Sequence, residues 1–222
     1  MKQQISVGLI GFGTVGTGTF RILRDNAELI QSRLGVPVKV KKIAVRDINR
    51  SREIQVSAAL LTDNPDEVVN DPEIDVVVEL IGGYEPAKRL ILGAIAHGKH
   101  IVTANKALLS AHGSEIFSAA RRKSAAVGFE ASVGGGIPVI KVLKEALAAN
   151  RILSVYGILN GTCNYILTKM TDEGRSFDDV LAEAQRDQQC DPDAVWLPYC
   201  SGAGSRAGAL ESFRGSADST CR

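Results

Sequence analysis

The residues that most plainly announce chemistry are three glycines, Gly11, Gly13 and Gly16, in the run VGLIGFGTVG. Their use lies in what they leave uncovered. Gly11 permits a tight turn after an apolar strand. Gly13 has no side chain to keep a pyrophosphate off the backbone, and Gly16 lets the next helix pack close to the strand. The backbone of Phe12, Thr14 and Val15 then lies at a helix N-terminus, where free N–H groups and the positive end of the dipole face the phosphates. Glycines at this spacing also make ordinary turns; a strand directly before and a helix directly after them make the run a dinucleotide fingerprint.

A second group of residues stands where further strands should end. Arg46 and Asp47 follow the run 38–45. At that strand end a carboxylate holds the ribose hydroxyls of NAD, whereas an arginine accommodates the 2′-phosphate of NADP. Arg46 comes first, which favours NADP with Arg50 and Arg52 as helpers; the alternative is a solvated loop arginine. Gly82 and Gly83 follow the run 74–80, and Thr103 closes the run 100–103 just before Ala104-Asn105-Lys106. A cation such as Lys106 at a strand end can polarise a carbonyl oxygen or hold an anion, or it can snorkel from the following helix as an ordinary surface lysine. His97, His100 and His112 are the only histidines and have no metal-ligand spacing.

The elements that must position these residues follow from the apolar pattern. Strands are expected at 5–10, 38–45, 74–80, 100–103 and 125–129. Helices are expected at 14–34 (closed by Gly35 and Pro37), 65–69, 86–97 (capped by Gly98) and 107–123, the last interrupted at Gly113. Strands alternating with helices predict an α/β fold with a doubly wound, Rossmann-type parallel sheet, whose ligands bind at the C-terminal strand ends. Four loops therefore converge on one crevice. After Phe129 the texture changes: 130–138 reads as a glycine hinge, followed by a helix at 138–149, a strand at 152–159, a helix at 164–171 and a helix at 178–186 with Ser176 as its N-cap. The expected organisation is a dinucleotide-binding domain at 1–129, an incomplete α+β catalytic and dimerisation domain at 130–185, and an aberrant, disordered tail at 186–222.

The 222 residues are 45% hydrophobic and 23% charged, with a net charge of +1. Near-neutral charge gives no electrostatic case for nucleic acid, and no apolar run approaches a membrane span. The N-terminus lacks a secretory h-region and the four cysteines have no CxxC spacing, so a cytoplasmic setting with free thiols is expected.

Five segments, taken in order, resemble homoserine dehydrogenases: VGLIGFGTVG, DVVVELIGG at 75–83, VTANKALL at 102–109, EASVGGGIPVI at 130–140 and GILNGTCNYILTKM at 157–170. The resemblance implies an oxidoreductase of threonine and methionine biosynthesis that interconverts L-aspartate 4-semialdehyde and L-homoserine with NAD(P)H. It implies that Lys106 lies beside nicotinamide and substrate, and that Asn160, Gly161 and Thr162 turn toward the active site. It also implies a sodium ion held at Glu130, Val133, Gly135 and Ile137, mostly by main-chain oxygens, which suits a hard cation. Members of the family pair as homodimers. Beyond Gln185 the pattern is lost: the family's Asp-Ala-Ala-x-Lys helix, with its substrate-binding Asp and proton-donating lysine, has no counterpart, and no lysine follows Lys169. That departure predicts weakened turnover and pairing, with a catalytically inactive dinucleotide-binding fragment as the alternative.

Overall fold

A computed structural model describes residues 2–52, 54–156 and 161–187. The expectations for 188–222 and for Asn160 fall outside these residues. The chain divides into two compact units, Met1–Leu153 and Ser154–Arg222, and the glycine-rich segment from Glu130 lies in the first.

The first unit is built on a six-stranded sheet. Its strands are β1 (Ile5–Ile10), β2 (Val38–Ala44), β3 (Leu61–Thr62), β4 (Val76–Glu79), β5 (His100–Thr103) and β6 (Val127–Gly128). The order is β3-β2-β1-β4-β5-β6, and every pairing is parallel. All C-terminal strand ends therefore share one rim. The helices are α1 (Thr14–Asp25), α2 (Ala27–Leu34), α3 (Asp66–Asn70), α4 (Ala87–Ala96) and α5 (Lys106–Arg122). Alternation along β1 feeds two cores. Val7 and Leu9 join Phe20, Ile43 and Val78 in one cluster. Ile10 joins Val77, Leu90, Ile91, Ile101, Leu108 and Ile116 in the other. Burial on both faces explains why β1 reads as an unbroken apolar run.

The structure departs from the sequence expectations at several points. The helix expected at 14–34 is two helices, because Asn26 takes φ −106° and ψ 21° between them. Asparagine competes poorly for helical backbone. The second helix closes on Gly35 in the left-handed region at φ 77°, as expected. Gly113 does not interrupt α5. A helical glycine costs about 1 kcal/mol, less than the burial of Leu108, Ile116 and Ala120 on the same helix contributes. The two-residue strand β3 was not expected. The helix expected at 138–149 is a single turn, α6 (Val139–Lys141), running into a π-turn at Val142–Ala146, which the Leu147 amide closes on the Val142 carbonyl at 2.9 Å. Residues 151–156 form no strand; they have no strand partner among the described residues, and an unpaired strand leaves its backbone groups to water.

Within the second unit, α7 (Gly161–Asp172) and α8 (Phe177–Asp187) are described. They share a small core of Ile166, Val180 and Ala184, flanked by Tyr165, Met170, Phe177 and Leu181. Ser176 caps α8 as expected, its Oγ accepting the Asp179 amide at 3.2 Å.

Candidate functional site

The rim at the C-terminal strand ends is assembled from four loops. At the end of β1 the Gly11 amide still reaches the Ala44 carbonyl of β2 (2.9 Å), and the Leu80 amide reaches the Ile10 carbonyl from the other side (2.8 Å). The chain then turns at Gly11, φ 105°. A Cβ at Gly16 would stand 2.3 Å from the Gly11 carbonyl oxygen, so only glycine lets α1 begin this close to the strand. A Cβ at Gly13, by contrast, would meet nothing within 4 Å. Gly13 is also the N-cap of α1; no side chain caps the helix and its first turn holds no acidic residue. Thr14 and Val15 are exposed and Phe12 is half-buried, edge-on to Phe20 at 5.7 Å. An open helix N-terminus of this kind is a seat for a diphosphate.

The β4 and β5 loops are joined through a buried carboxylate. Glu79, the last residue of β4, is fully buried. Its Oε1 accepts the amides of Ile81 (2.9 Å) and Gly82 (3.2 Å), and its Oε2 accepts the Thr103 hydroxyl (2.7 Å). The Thr103 oxygen in turn accepts the Asn105 amide at 3.0 Å. The Asn105 side chain donates to the Gly83 carbonyl (2.7 Å) and accepts the Leu108 amide (3.1 Å), capping α5. Gly82 and Thr103, both named from the sequence, are thus brought together, with Thr103 completely buried and Gly82 exposed. Glu79 and Asn105 were missed as site residues. The available signals were a carboxylate ending an otherwise apolar strand, which has to be paired, and an asparagine in N-cap position.

Lys106 is the first residue of α5 and half-buried. The helix dipole disfavours a cation there, so helix stability does not explain its place. Ser132 Oγ donates to the Thr103 carbonyl at 2.9 Å and ties the glycine-rich segment to the same strand end. The Glu130 carboxylate accepts the amides of Ile140 and Lys141, at 2.9 Å each, so any cation at this segment would meet main-chain oxygens. The carbonyls of Glu130 and Ile137 already accept the Val133 amide (3.3 Å) and the Val139 amide (2.8 Å). Those of Val133 and Gly135 accept no backbone hydrogen bond among the described residues. Gly134 and Gly136 sit at φ 58° and 89°. A loop of carbonyls with free lone pairs fits a hard cation. Among the described residues no cluster of three His, Cys, Asp or Glu could hold a metal.

At the end of β2, Arg46 is exposed and forms no ion pair among the described residues. Arg52 lies instead against the turn that follows, donating to main-chain carbonyls of Asp47, Ile48 and Arg50. On the opposite rim the charged groups are held by main-chain or charged partners. Lys99 is buried and donates to the carbonyls of Asp71 and Ile74; burial pushes its ammonium below the usual lysine range, against the pull of Asp71 and Asp75. Burial raises the Asp75 carboxyl, but the Lys2 ammonium and the Ser6 amide outweigh it and hold the group below its ordinary value.

Comparison with known proteins gives the chain's relatives. Residues 11–130 match the family model described as the NAD-binding domain of homoserine dehydrogenase, and residues 138–195 match the homoserine dehydrogenase model. A homoserine dehydrogenase of Pseudomonas aeruginosa is 54% identical over 183 residues, 82% of this chain and 42% of that protein. One from Synechocystis is 51% identical over 182 residues, with the same coverage. Among solved structures, a homoserine dehydrogenase from Thiobacillus denitrificans superposes with a TM-score of 0.76 at 54% identity, covering 87% of this chain and 44% of that one. The chain spans about 42% of the length of the curated relatives it matches.

Proposed function

The chain belongs to the homoserine dehydrogenase family, and from that premise we propose that it serves the NAD(P)H-dependent interconversion of L-aspartate 4-semialdehyde and L-homoserine. The observation that carries the proposal is a single rim bearing both an open glycine turn at Gly11–Gly16 and a lysine, Lys106, against the usual sense of its helix dipole. The amides of Phe12 to Val15 hold the diphosphate, and Gly82 and Thr103 flank the rest of the dinucleotide. When bound, that cofactor supplies or accepts a hydride. Lys106 orients the substrate oxygen and offsets the negative charge that develops on it as the carbonyl is reduced.

The free Arg46 supports NADP as the preferred cofactor, because an unpaired guanidinium suits a 2′-phosphate. A sodium ion held by main-chain oxygens of Glu130, Val133, Gly135 and Ile137 would fix the glycine-rich segment; it is assigned no chemical step. A cytoplasmic setting is part of the proposal, with the family's homodimer pairing weakened by the departure beyond Gln185; among the described residues no helix is long and apolar enough to cross a membrane.

The test is a titration of the purified chain with NADPH and NADH, followed by homoserine oxidation with each cofactor. Turnover that falls by about 10²-fold or more in K106M, with cofactor affinity retained, is the expected result. Cofactor binding without any turnover would reduce the chain to a dinucleotide-binding module and sink the catalytic role.

A further inference from the structure

The turn after β2 carries three arginines, of which one is committed. Arg46 and Arg50 are exposed, and neither side chain has a hydrogen bond or ion pair among the described residues. Arg52 is half-buried. Its Nη1 donates to the carbonyls of Ile48 (3.0 Å) and Arg50 (2.8 Å), and its Nη2 to that of Asp47 (2.5 Å). The Asp47 carboxylate points into the same turn, where it accepts the Asn49 amide at 2.9 Å. No carboxylate pairs with the Arg52 guanidinium among the described residues. The three carbonyls are spanned from two nitrogens of one planar group, a spread that a lysine ammonium, with all three donors on one nitrogen, does not reproduce.

We propose that Arg52 is a positioning residue for cofactor selection. It acts through its neighbours and touches no part of the dinucleotide. By clamping 47–50 it keeps Arg46 presented at the end of β2. It also holds the Asp47 main chain in the turn where the exposed carboxylate is tied to the Asn49 amide and so is kept from repelling a 2′-phosphate or reaching ribose hydroxyls. The proposal rests on the NADP preference put forward above and adds to it the residue that enforces it.

Fluorescence titration of the full chain with NADPH and with NADH, at one fixed ionic strength, provides the test. The wild type binds NADPH the more tightly. In R52M the NADPH Kd rises about tenfold, the worth of one charge-assisted contact, while the NADH Kd stays level or falls as Asp47 is released. R52K gives the same collapse of the ratio, because it keeps the charge and loses the fork. R52Q, with a planar two-donor amide, lies between and serves if R52M does not fold. R52K with the wild-type ratio overturns the proposal, since charge alone would then suffice. So does R52M that leaves both constants unchanged or raises both by one factor. A wild type that prefers NADH removes the underlying NADP assignment instead, and R46M, which should abolish the preference by itself, tells these two failures apart.

Discussion

Two carboxylates, one in each unit, are satisfied in opposite ways. Glu79 is fully buried and meets three neutral donors, the Ile81 and Gly82 amides and the Thr103 hydroxyl, and pairs with no cation among the described residues. Glu183 on α8 is partly exposed; it takes the Tyr165 hydroxyl and the Arg175 guanidinium, with Lys169 at 3.6 Å. The Tyr165 hydroxyl first, and Arg175 second, hold its carboxyl down at about 2. The first arrangement fixes where two loops stand. The second balances charge on a helix pair that screening water still reaches. A residue that organises a site therefore need not be charged toward the ligand, or even exposed to it.

The sharpest way to break this comparison is Glu79→Ala. It leaves the buried Thr103 hydroxyl without its acceptor and strips the exposed Ile81 and Gly82 turn of the carboxylate that holds it, so a loss of about 3 kcal/mol is expected in chemical denaturation. A loss below about 1 kcal/mol would mean that the network follows the loops rather than setting them. Next in size, Gly16→Ala should cost about 1–3 kcal/mol through its clash with the Gly11 carbonyl. Gly13→Ala should leave the midpoint of thermal unfolding nearly unchanged and weaken dinucleotide binding instead. If the two substitutions behave alike, the glycine turn is a packing device only.

The smallest effect is expected at Glu183. Its folded-state pKa of about 2 lies below the ordinary glutamate value of about 4.3. Its stabilising contribution is therefore complete above that value and disappears as the pH falls toward 2. Protection factors of the α7 and α8 amides, corrected for the intrinsic pH dependence of exchange, should fall over that interval in the wild type and stay flat in Glu183→Gln. An unchanged wild-type profile would show that water screens the pairing completely.

What the sequence disclosed tracks how strongly each residue is constrained. Gly11 and Gly16 were legible because backbone angle and steric contact demand glycine there; Gly13, where a Cβ would meet nothing, was legible from the spacing alone. β2, with three lysines, was legible only through its partial alternation, whereas β1 and β4 were legible because burial on both faces leaves them nearly continuous apolar runs. Glu79 was hidden inside such a strand: a pattern that counts apolar residues passes over the one polar residue the sheet encloses. Asn105 was visible as part of a segment, but its two side-chain bonds depend on Gly83, which lies far off in sequence. Arg52 was named as a cofactor helper; its donation to main-chain carbonyls of Asp47, Ile48 and Arg50 is a contact that spacing alone does not reveal. The break at Asn26 was a local signal passed over, whereas the two-residue β3 and the π-turn after α6 are not recorded in local propensity.

The parallel order of the sheet has a consequence for how the chain is made. β1 lies at its centre, between β2 and β4, and the side chain that meets the Ser6 amide belongs to Asp75, 69 residues later. During synthesis β1 can pair with β2 early, but its other edge stays open until β4 emerges from the ribosome. Through that interval the most apolar strand of the nucleotide unit presents an unpaired edge, the kind of surface on which nascent chains aggregate. The connectivity that gathers all the strand ends on one rim thus also makes the middle of the sheet late to close.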